Sequence, residues 1–366
     1  MKRLTAPYKD ELDRAALDII AAGTYIGGRT VADFERQLAE SCGSTHAIGV
    51  SNGLDALRLI FNAYMQLGVM APGDEVIVPA NTYVASILAV TDNGLTPVFV
   101  EPSIDTLNLD TALVEQVITP RTRAILTVHL YGRACWDSRL ADIAKRYPHI
   151  RIVEDNAQAI GAKSAVAGLN GSHVTGALCH AAAFSFYPTK NIGALGDAGA
   201  VTTDDRQLAD TVRALANYGS DRRYHNIYEG YNCRLDTLQA AFLSVKLRYL
   251  DNVCAQRRAN AALYDRLIDN PAIVKPLFAP DDPSMVWHQY TVRVTDRQRL
   301  QQHLADLGIQ TDIHYATPPH RQPCYSRYAR LCLPVTDTIA DTILSLPIAT
   351  VTPDEIAQVA AGCNAF

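Results

Sequence analysis

The sequence predicts an α/β protein with a seven-stranded, mostly parallel sheet and a smaller C-terminal αβ domain. Short runs of β-forming residues alternate with amphipathic stretches, such as those at 110–118 and 138–147. Alternation of this kind is typical of a parallel sheet covered by helices. The runs that predict strands lie at 47–50, 75–78, 97–100, 124–128, 151–153, 181–185 and 200–203.

The C-terminal part of the chain has a different pattern. Apolar residues recur at helical spacing from 235 to 268, which predicts one or two long helices. The stretches 287–294 and 310–315 predict strands, and 297–307 predicts a helix between them. We therefore expect three parts: an N-terminal segment, 1–30, that packs with the small domain; a large domain, 31–240; and a long linking helix with the small domain, 241–366.

Composition and charge exclude several classes of protein. With 366 residues, 48% of them hydrophobic and 19% charged, the chain can bury a large core. A net charge of -5 without long runs of one sign argues against a nucleic-acid partner. The eight cysteines have neither metal-ligand nor disulfide-framework spacing, so we expect reduced thiols and no metal site. The first residues lack a signal-peptide core and no stretch has a membrane-spanning length, so we expect a cytoplasmic protein without membrane contact.

Lys190 is the most informative residue of the chain. It follows an apolar run that ends in Ser185, and Pro188 precedes it while three glycines follow. This setting is typical of a desolvated amine beside a loop of closely approaching backbone. Because burial disfavours the ammonium form, such a lysine can form a Schiff base near neutral pH. Surface lysines before loops are commoner, so Lys190 alone does not indicate a function.

Two adjacent carboxylates, Glu154 and Asp155, follow the strand predicted at 151–153. Ligand sites in open parallel sheets lie just beyond the carboxyl ends of strands. A carboxylate at that place can keep a pyridine nitrogen protonated, as pyridoxal phosphate chemistry requires. An acid at a strand end can also cap a helix or pair with an arginine. Lys190 downstream favours the first interpretation.

A third element predicts a phosphate site. The run 47–50 predicts a strand, 51–53 a tight turn, and 54–67 a helix with apolar residues on one face. Backbone amides at the start of that helix form an anion site, and Gly53 permits close approach of the anion. Helix starts of this kind are frequent, so the argument depends on the order of phosphate turn, strand-end acid and lysine.

With these three elements in this order, the chain resembles the DegT-type nucleotide-sugar aminotransferases, which have the aspartate aminotransferase fold of pyridoxal-phosphate-dependent transferases. The resemblance extends from 25–28 to the proline-rich segment 314–322. It implies pyridoxal 5′-phosphate as the cofactor, Lys190 as the catalytic residue that binds it covalently, and a homodimer with shared active sites. The cofactor-binding residues that it implies are Gly53, Leu54, Tyr83, Asp155, Gln158, Ser185, Lys190 and Asn232.

Three of these residues are implied to contact the cofactor ring. Asp155 is the partner of the pyridine nitrogen, Gln158 contacts the phenolic oxygen, and Tyr83 stacks on the ring. From the residues alone, Tyr83 could be an ordinary strand aromatic and Gln158 a solvated loop amide.

The implied phosphate contacts depart from the family pattern at one position. Gly53 and Leu54 supply backbone amides, Ser185 a hydroxyl, and Asn232 reaches the phosphate from the other subunit. Leu54 stands where the family often has threonine, so only its amide can serve. In the loop after the lysine, Ala198 replaces a common glycine, which predicts a negative φ at Ala198 or modest strain.

The substrate is predicted from two further segments. Tyr224 lies in the polar and basic stretch 218–231, whose two arginines could meet a sugar-nucleotide pyrophosphate or be solvated. The segment that begins at His314 and Tyr315 and continues to His320 resembles the subgroup that aminates C3 of dTDP-3-keto-6-deoxyhexoses. An alanine replaces one proline of that pattern, and the two histidines could instead be satisfied by backbone and water. We predict that Tyr224, His314, Tyr315 and His320 bind the substrate.

We therefore predict an aminotransferase that transfers an amino group to a nucleotide-linked keto-6-deoxysugar. The expected donor is L-glutamate, and the expected acceptor is C3 of a dTDP-3-keto-6-deoxyhexose. Its pathway would be deoxyaminosugar biosynthesis, as for lipopolysaccharide O-antigen. A C4 aminotransferase of a nucleotide-4-keto sugar and a sugar dehydratase of the same fold are the alternatives, although the dehydratase relative has histidine at the lysine position. A nicotinamide-dependent oxidoreductase would need a Gly-x-Gly-x-x-Gly turn, which 49–53 does not supply. A non-catalytic regulator would lack the cofactor residues.

Overall fold

A seven-stranded sheet forms the centre of the computed structural model, which describes residues 2–366. The strands are β1 (His46–Val50), β2 (Glu75–Pro79), β3 (Thr96–Val100), β4 (Thr122–Val128), β5 (Arg151–Asp155), β6 (Ala181–Ser185), β7 (Gly199–Thr203), β8 (Ser220–Arg222), β9 (His225–Asn226), β10 (Tyr290–Arg293) and β11 (Ile343–Leu346). In the main sheet their order is β1-β7-β6-β5-β4-β2-β3, and only β7 runs antiparallel to its neighbours. The predicted seven-stranded, mostly parallel sheet is confirmed.

Helices cover both faces of this sheet and continue into the C-terminal part. The α-helices are α1 (Lys2–Thr5), α2 (Lys9–Ala22), α3 (Gly28–Cys42), α4 (Gly53–Gln66), α5 (Val84–Thr91), α6 (Thr111–Val114), α7 (Ser138–Arg146), α8 (Arg206–Ala216), α9 (Thr237–Leu247), α10 (Leu250–Leu267), α11 (Arg297–Asp306), α12 (Pro334–Thr342) and α13 (Pro353–Asn364). Short 3₁₀ helices lie at Ala6–Tyr8, Glu115–Val117, Leu130–Gly132, Pro319–Arg321 and Pro323–Tyr328.

Helix α4 shows how the sequence positions the site. Its N-cap residue Asn52 accepts a hydrogen bond from the backbone N–H of Asp55 at 2.9 Å, which fixes where the helix begins. Leu57 and Phe61 are buried one turn apart and pack α4 against the sheet. The start of α4 is therefore held at the carboxyl-terminal edge of the parallel strands.

The small domain contains a two-stranded antiparallel sheet of β10 and β11, flanked by α11 and α13. The strand predicted at 310–315 is wrong: this stretch is irregular and makes only an isolated bridge between Asp312 and Ser345. β10 pairs instead with β11, whose four residues are all buried. The stretch 310–315 passes the edge of β11 and carries half-buried side chains toward the large domain.

The N-terminal segment contacts more than one part of the chain. Arg3 forms an ion pair with Glu355 of α13 at 2.8 Å, whereas α2 packs against α9 through Leu12 and Phe242. The division at residues 30 and 240 remains a prediction. No helix within residues 2–366 is long and apolar enough to cross a membrane.

Candidate active site

Most of the predicted site residues meet in one cavity of about 570 Å³. The cavity opens beyond the carboxyl ends of the parallel strands, which is where ligand sites of such sheets lie. Predicted residues that line it are Gly53, Leu54, Tyr83, Asp155, Gln158, Ser185, Lys190, His314 and Tyr315.

Lys190 lies in the loop that follows β6. The backbone N–H of Lys190 donates to the carbonyl of Tyr187 at 2.8 Å, so the loop turns tightly at this position. The side chain is partly buried, and burial lowers the pKa of Lys190 to about 8, while Asp155 opposes the shift. About a tenth of the amine is therefore neutral, and thus nucleophilic, at pH 7, far more than for an ordinary lysine.

Asp155 is the last residue of β5 and is buried at the cavity wall. One of its carboxylate oxygens accepts a hydrogen bond from the Ser86 hydroxyl at 2.8 Å, and the other accepts from the backbone N–H of Ala157 at 3.1 Å. The carboxylate is thus held in one orientation. Ser86, on α5, is a supporting residue that the sequence prediction missed, although it lies in the same segment as Tyr83.

The neighbouring acid, Glu154, points to the opposite face of β5. It is fully buried and lies 2.8 Å from Nε2 of His129, and its carboxylate accepts hydrogen bonds of 2.7–3.0 Å from the backbone N–H groups of Gly176, Leu178 and Cys179. Because side chains alternate along a strand, only Asp155 of the two acids can reach the cavity.

The predicted phosphate turn has the geometry of an anion site. The first backbone N–H groups of a helix have no intrahelical partner, and those of Gly53 and Leu54 lie at the cavity. A Cβ atom on Gly53 would lie 2.6 Å from Cβ of Ser185, so only glycine allows this approach.

The loop after Lys190 has the predicted backbone at Ala198. Among residues 2–366, five non-glycine residues have positive φ and Ala198 is not one of them, which confirms the predicted negative φ.

Tyr315 connects the small domain to the cofactor residues. Its ring centroid lies 5.1 Å from that of Tyr83, and its hydroxyl accepts a hydrogen bond from Nε2 of Gln158 at 3.0 Å. Oε1 of Gln158 accepts from the backbone N–H of Tyr131 at 2.6 Å. The amide of Gln158 is therefore oriented by two partners, with its nitrogen turned toward the cavity.

His288 and Gln289 also line the cavity, and the sequence prediction did not include them. Nδ1 of His288 lies 3.2 Å from Oδ1 of Asn191. Burial, with the neighbouring charge of Lys190, holds the pKa of His288 well below its usual range. The sequence predicts only a strand at 287–294, and it carries no signal that identifies His288 as a site residue.

Three predicted residues do not reach the cavity of this chain. Tyr224, in the β8–β9 hairpin, is 88% exposed, and Asn232 is exposed beside Asn217. His320 is fully buried in the small domain, with Nε2 3.2 Å from Asp337. The predicted substrate contact of His320 thus has no support from this geometry.

The donor set suits pyridoxal phosphate rather than a metal. A lysine amine, an oriented carboxylate, an anion-binding helix start and an aromatic ring surround one cavity, as the cofactor's aldehyde, pyridine nitrogen, phosphate and ring require. Within the described residues 2–366, no group of three or more His, Cys, Asp or Glu side chains is arranged to hold a metal.

Comparison with known proteins agrees with this geometry. The profile of the DegT/DnrJ/EryC1/StrS aminotransferase family matches residues 8–363. The dTDP-3-amino-3,6-dideoxy-alpha-D-galactopyranose transaminase of Aneurinibacillus thermoaerophilus is 47% identical, over 100% of this chain and 98% of its own length. The dTDP-3-amino-3,4,6-trideoxy-alpha-D-glucose transaminase of Streptomyces venezuelae is 46% identical, over 94% of this chain and 89% of its own. The crystal structure of S. venezuelae DesV in complex with a ketimine intermediate is 44% identical, with a TM-score of 0.91 over 99% of this chain and 96% of that one.

Proposed function

Because the chain belongs to the DegT/DnrJ/EryC1/StrS aminotransferase family, we propose that it transfers the amino group of L-glutamate to C3 of a dTDP-3-keto-6-deoxyhexose. Both relatives described above are named for 3-amino dTDP sugars, which supports C3 over C4. The observation that carries the proposal is the single cavity that joins Lys190 and Asp155 to His314 and Tyr315.

Pyridoxal 5′-phosphate supplies an aldehyde that binds amines covalently and a ring that accepts electrons when a carbon loses its proton. Lys190 would hold this cofactor in the resting enzyme. Once the amino donor has displaced it, the free amine of Lys190 would serve as the base that takes the proton from Cα of the donor and as the acid that returns it. A lysine whose pKa is about 8 can both take and return a proton near neutral pH.

The remaining cavity residues position and orient. Asp155 would face the pyridine nitrogen, Gln158 would donate toward the phenolic oxygen, and Tyr83 would cover the ring. The N–H groups of Gly53 and Leu54, with the Ser185 hydroxyl, would hold the phosphate. His314 and Tyr315 line the same cavity and are the residues that we propose to contact the sugar.

We further propose that the protein works as a homodimer with shared active sites. The segment 218–231 carries exposed apolar and aromatic side chains, including Tyr218, Tyr224, Ile227 and Tyr231. Covering them with a second copy would remove this apolar surface from water. Tyr224 and Asn232, which do not line the cavity of their own chain, would then reach the cavity of the partner. A cytoplasmic location and a role in O-antigen assembly stay predictions.

A product analysis tests the reaction. The holoenzyme is incubated with glutamate and either a 3-keto or a 4-keto dTDP-6-deoxyhexose, and the products are identified by mass spectrometry and NMR. We expect an amine at C3 from the first substrate and none from the second, and no product with Lys190→Ala. Amination of the 4-keto sugar alone would establish the C4 alternative, and loss of water without amination would establish the dehydratase.

A further inference from the structure

The turn that follows β4 has a strained backbone at the wall of the active-site cavity. Residues Leu130–Gly132 form a short 3₁₀ helix, in which Tyr131 has a φ of 60° and Gly132 a φ of 99°, and Leu130 lines the cavity. A non-glycine residue in the left-handed region persists only where its surroundings hold it there. We call residues 129–132 the β4 turn. Its contacts must hold Tyr131 in this conformation.

The β4 turn contacts both the cofactor residues and the residues of the small domain that line the cavity. The backbone N–H of Tyr131 donates to Oε1 of Gln158 at 2.6 Å, and the hydroxyl of Tyr131 donates to the carbonyl of His314. Two carbonyl groups of the turn accept from the backbone N–H groups of Val286 and Gln289, at 2.9 and 3.2 Å. A shift of this turn would therefore move the two sets of residues relative to one another.

His129 begins the β4 turn, and both of its ring nitrogens have partners. Nδ1 accepts a hydrogen bond from the backbone N–H of Cys135 at 2.9 Å, and Nε2 lies 2.8 Å from Oε2 of Glu154. Because a backbone N–H can only donate, Nδ1 carries no proton, and the proton on Nε2 is the one that Glu154 accepts. The imidazole of His129 is thus neutral, and its two partners fix one tautomer. Its backbone N–H also donates to the carbonyl of Asp155 at 3.1 Å.

Glu154 anchors this histidine. One of its oxygens accepts from the backbone N–H groups of Leu178 and Cys179, and the other accepts from the backbone N–H of Gly176 and from Nε2 of His129. All four partners donate, so the group that they hold is the carboxylate. Hydrogen bonds to a carboxylate are short and strong. Glu154 and His129 are both fully buried, so water does not replace their contact when it is lost.

We propose that His129, held by Glu154, is a positioning residue of the transamination. His129 does not line the cavity, so it acts through the β4 turn. The turn presents the Tyr131 N–H that orients the amide of Gln158, and thereby the hydrogen bond that Gln158 gives to the phenolic oxygen of the cofactor. The inference rests on the proposed function, because this role of Gln158 is part of it.

Two amide substitutions of His129 test the contact with Glu154. The side-chain amide of glutamine can take the place of the ring Nε2–H and donate to Glu154, whereas asparagine is too short to reach it. The measurement is the pH midpoint of the absorbance change of the bound cofactor, because a hydrogen bond to the phenolic oxygen favours its anion. We expect His129→Asn to raise this midpoint by about half a unit or more, as Gln158→Ala should. His129→Gln should give less than about a third of that shift.

His180→Asn is the matched control for the loss of a structural imidazole. Nδ1 of His180 likewise accepts from a backbone N–H, that of Ile152 at 3.0 Å, and His180 does not line the active-site cavity. His180→Asn should lower Tm without moving the absorbance midpoint.

A second measurement needs neither cofactor nor turnover, and it applies even if His129→Asn does not fold. In NMR spectra of the apoenzyme with 15N-labelled histidine, the His129 signals are identified by their absence from His129→Gln. They should show a proton on Nε2 and none on Nδ1.

Three outcomes would overturn the proposal. A wild-type midpoint in His129→Asn, with a fall of Tm like that of His180→Asn, would reduce His129 to support of the fold. Equal midpoint shifts in His129→Asn and His129→Gln would mean that donation to Glu154 does not matter. A proton on Nδ1 of His129 would exclude the tautomer on which the proposal depends. Failure of the proposed reaction is distinguishable, because these measurements need only the protein and its cofactor and would still succeed in an enzyme that aminates no ketosugar.

Discussion

The hydroxyl of Ser86, on α5, donates a hydrogen bond of 2.8 Å to the carboxylate of Asp155, at the end of β5. Both residues are buried, so water does not replace this bond when it is lost. Through it, a helix that covers the sheet orients the acid that we propose to face the cofactor ring.

We predict that Ser86→Ala weakens pyridoxal phosphate binding. A hydrogen bond to a charged group contributes about 1.5–3 kcal/mol, so the Kd of the cofactor should rise at least about tenfold. Titration of the apoenzyme, followed by absorbance, measures this change. Ser326→Ala removes an exposed hydroxyl and serves as the control; equal affinity in both variants would contradict the role given to Ser86.

Gly53→Ala should disrupt the phosphate turn. The added Cβ would lie 2.6 Å from Cβ of Ser185, and something must shift to relieve that contact. We expect affinity for pyridoxal phosphate to fall about tenfold or more, because both the helix-start amides and the Ser185 hydroxyl are displaced. Pyridoxal, which lacks the phosphate, is the control ligand. A parallel loss of pyridoxal binding would place the damage outside the phosphate site.

Cofactor capture should depend on pH through Lys190. Burial lowers the pKa of Lys190 to about 8, and the neutral amine is the reactive form. The capture rate should therefore rise about tenfold per pH unit below pH 8 and level off above it. Stopped-flow absorbance of apoenzyme mixed with pyridoxal phosphate between pH 6 and about 9.5 tests this. A rate that is still rising tenfold per unit at the upper end would indicate an ordinary surface amine.

Hybrid dimers should reveal whether the sites are shared. Lys190→Ala subunits are expected to be inactive, and Asn232→Ala subunits to be impaired. If Asn232 serves the partner's cavity, a hybrid of the two variants contains one site with both residues intact. The activity of the mixture should then exceed the mean activity of the two parent dimers. Each hybrid dimer should approach half of the wild-type activity, because one of its two sites is intact. Strictly averaged activity would argue for self-contained subunits.

The seven-stranded sheet could be predicted from the sequence because its strands are short buried runs, separated by helices of clear periodicity. The family resemblance implied the full set of cofactor residues, whereas Gly53, Asp155 and Lys190 could be singled out from the sequence itself because each lies at or shortly after the end of a strand. The residues at the carboxyl end of a parallel strand lie at the edge of the sheet where ligands bind, and this placement does not depend on contacts with distant parts of the chain.

The small domain was harder to predict for a physical reason. The stretch 310–315 carries β-forming residues at alternate positions, Thr311, Ile313 and Tyr315, but β10 pairs instead with the fully buried β11, which lies further along the chain. Pairing of distant segments depends on tertiary packing, which local pattern does not contain. His320 and His288 show the same limit: the first was expected at the substrate and is enclosed, and the second was overlooked and lines the cavity.

Glu154 and Asp155 are consecutive residues that serve opposite sides of one strand. Inserting or deleting a single residue in β5 would exchange them, turning the longer acid toward the cofactor and sending the shorter one toward His129. A shift of the strand by one residue would disrupt the packing of the core and the binding of the cofactor together. Insertions and deletions in β5 should therefore cost the protein its fold and its cofactor together.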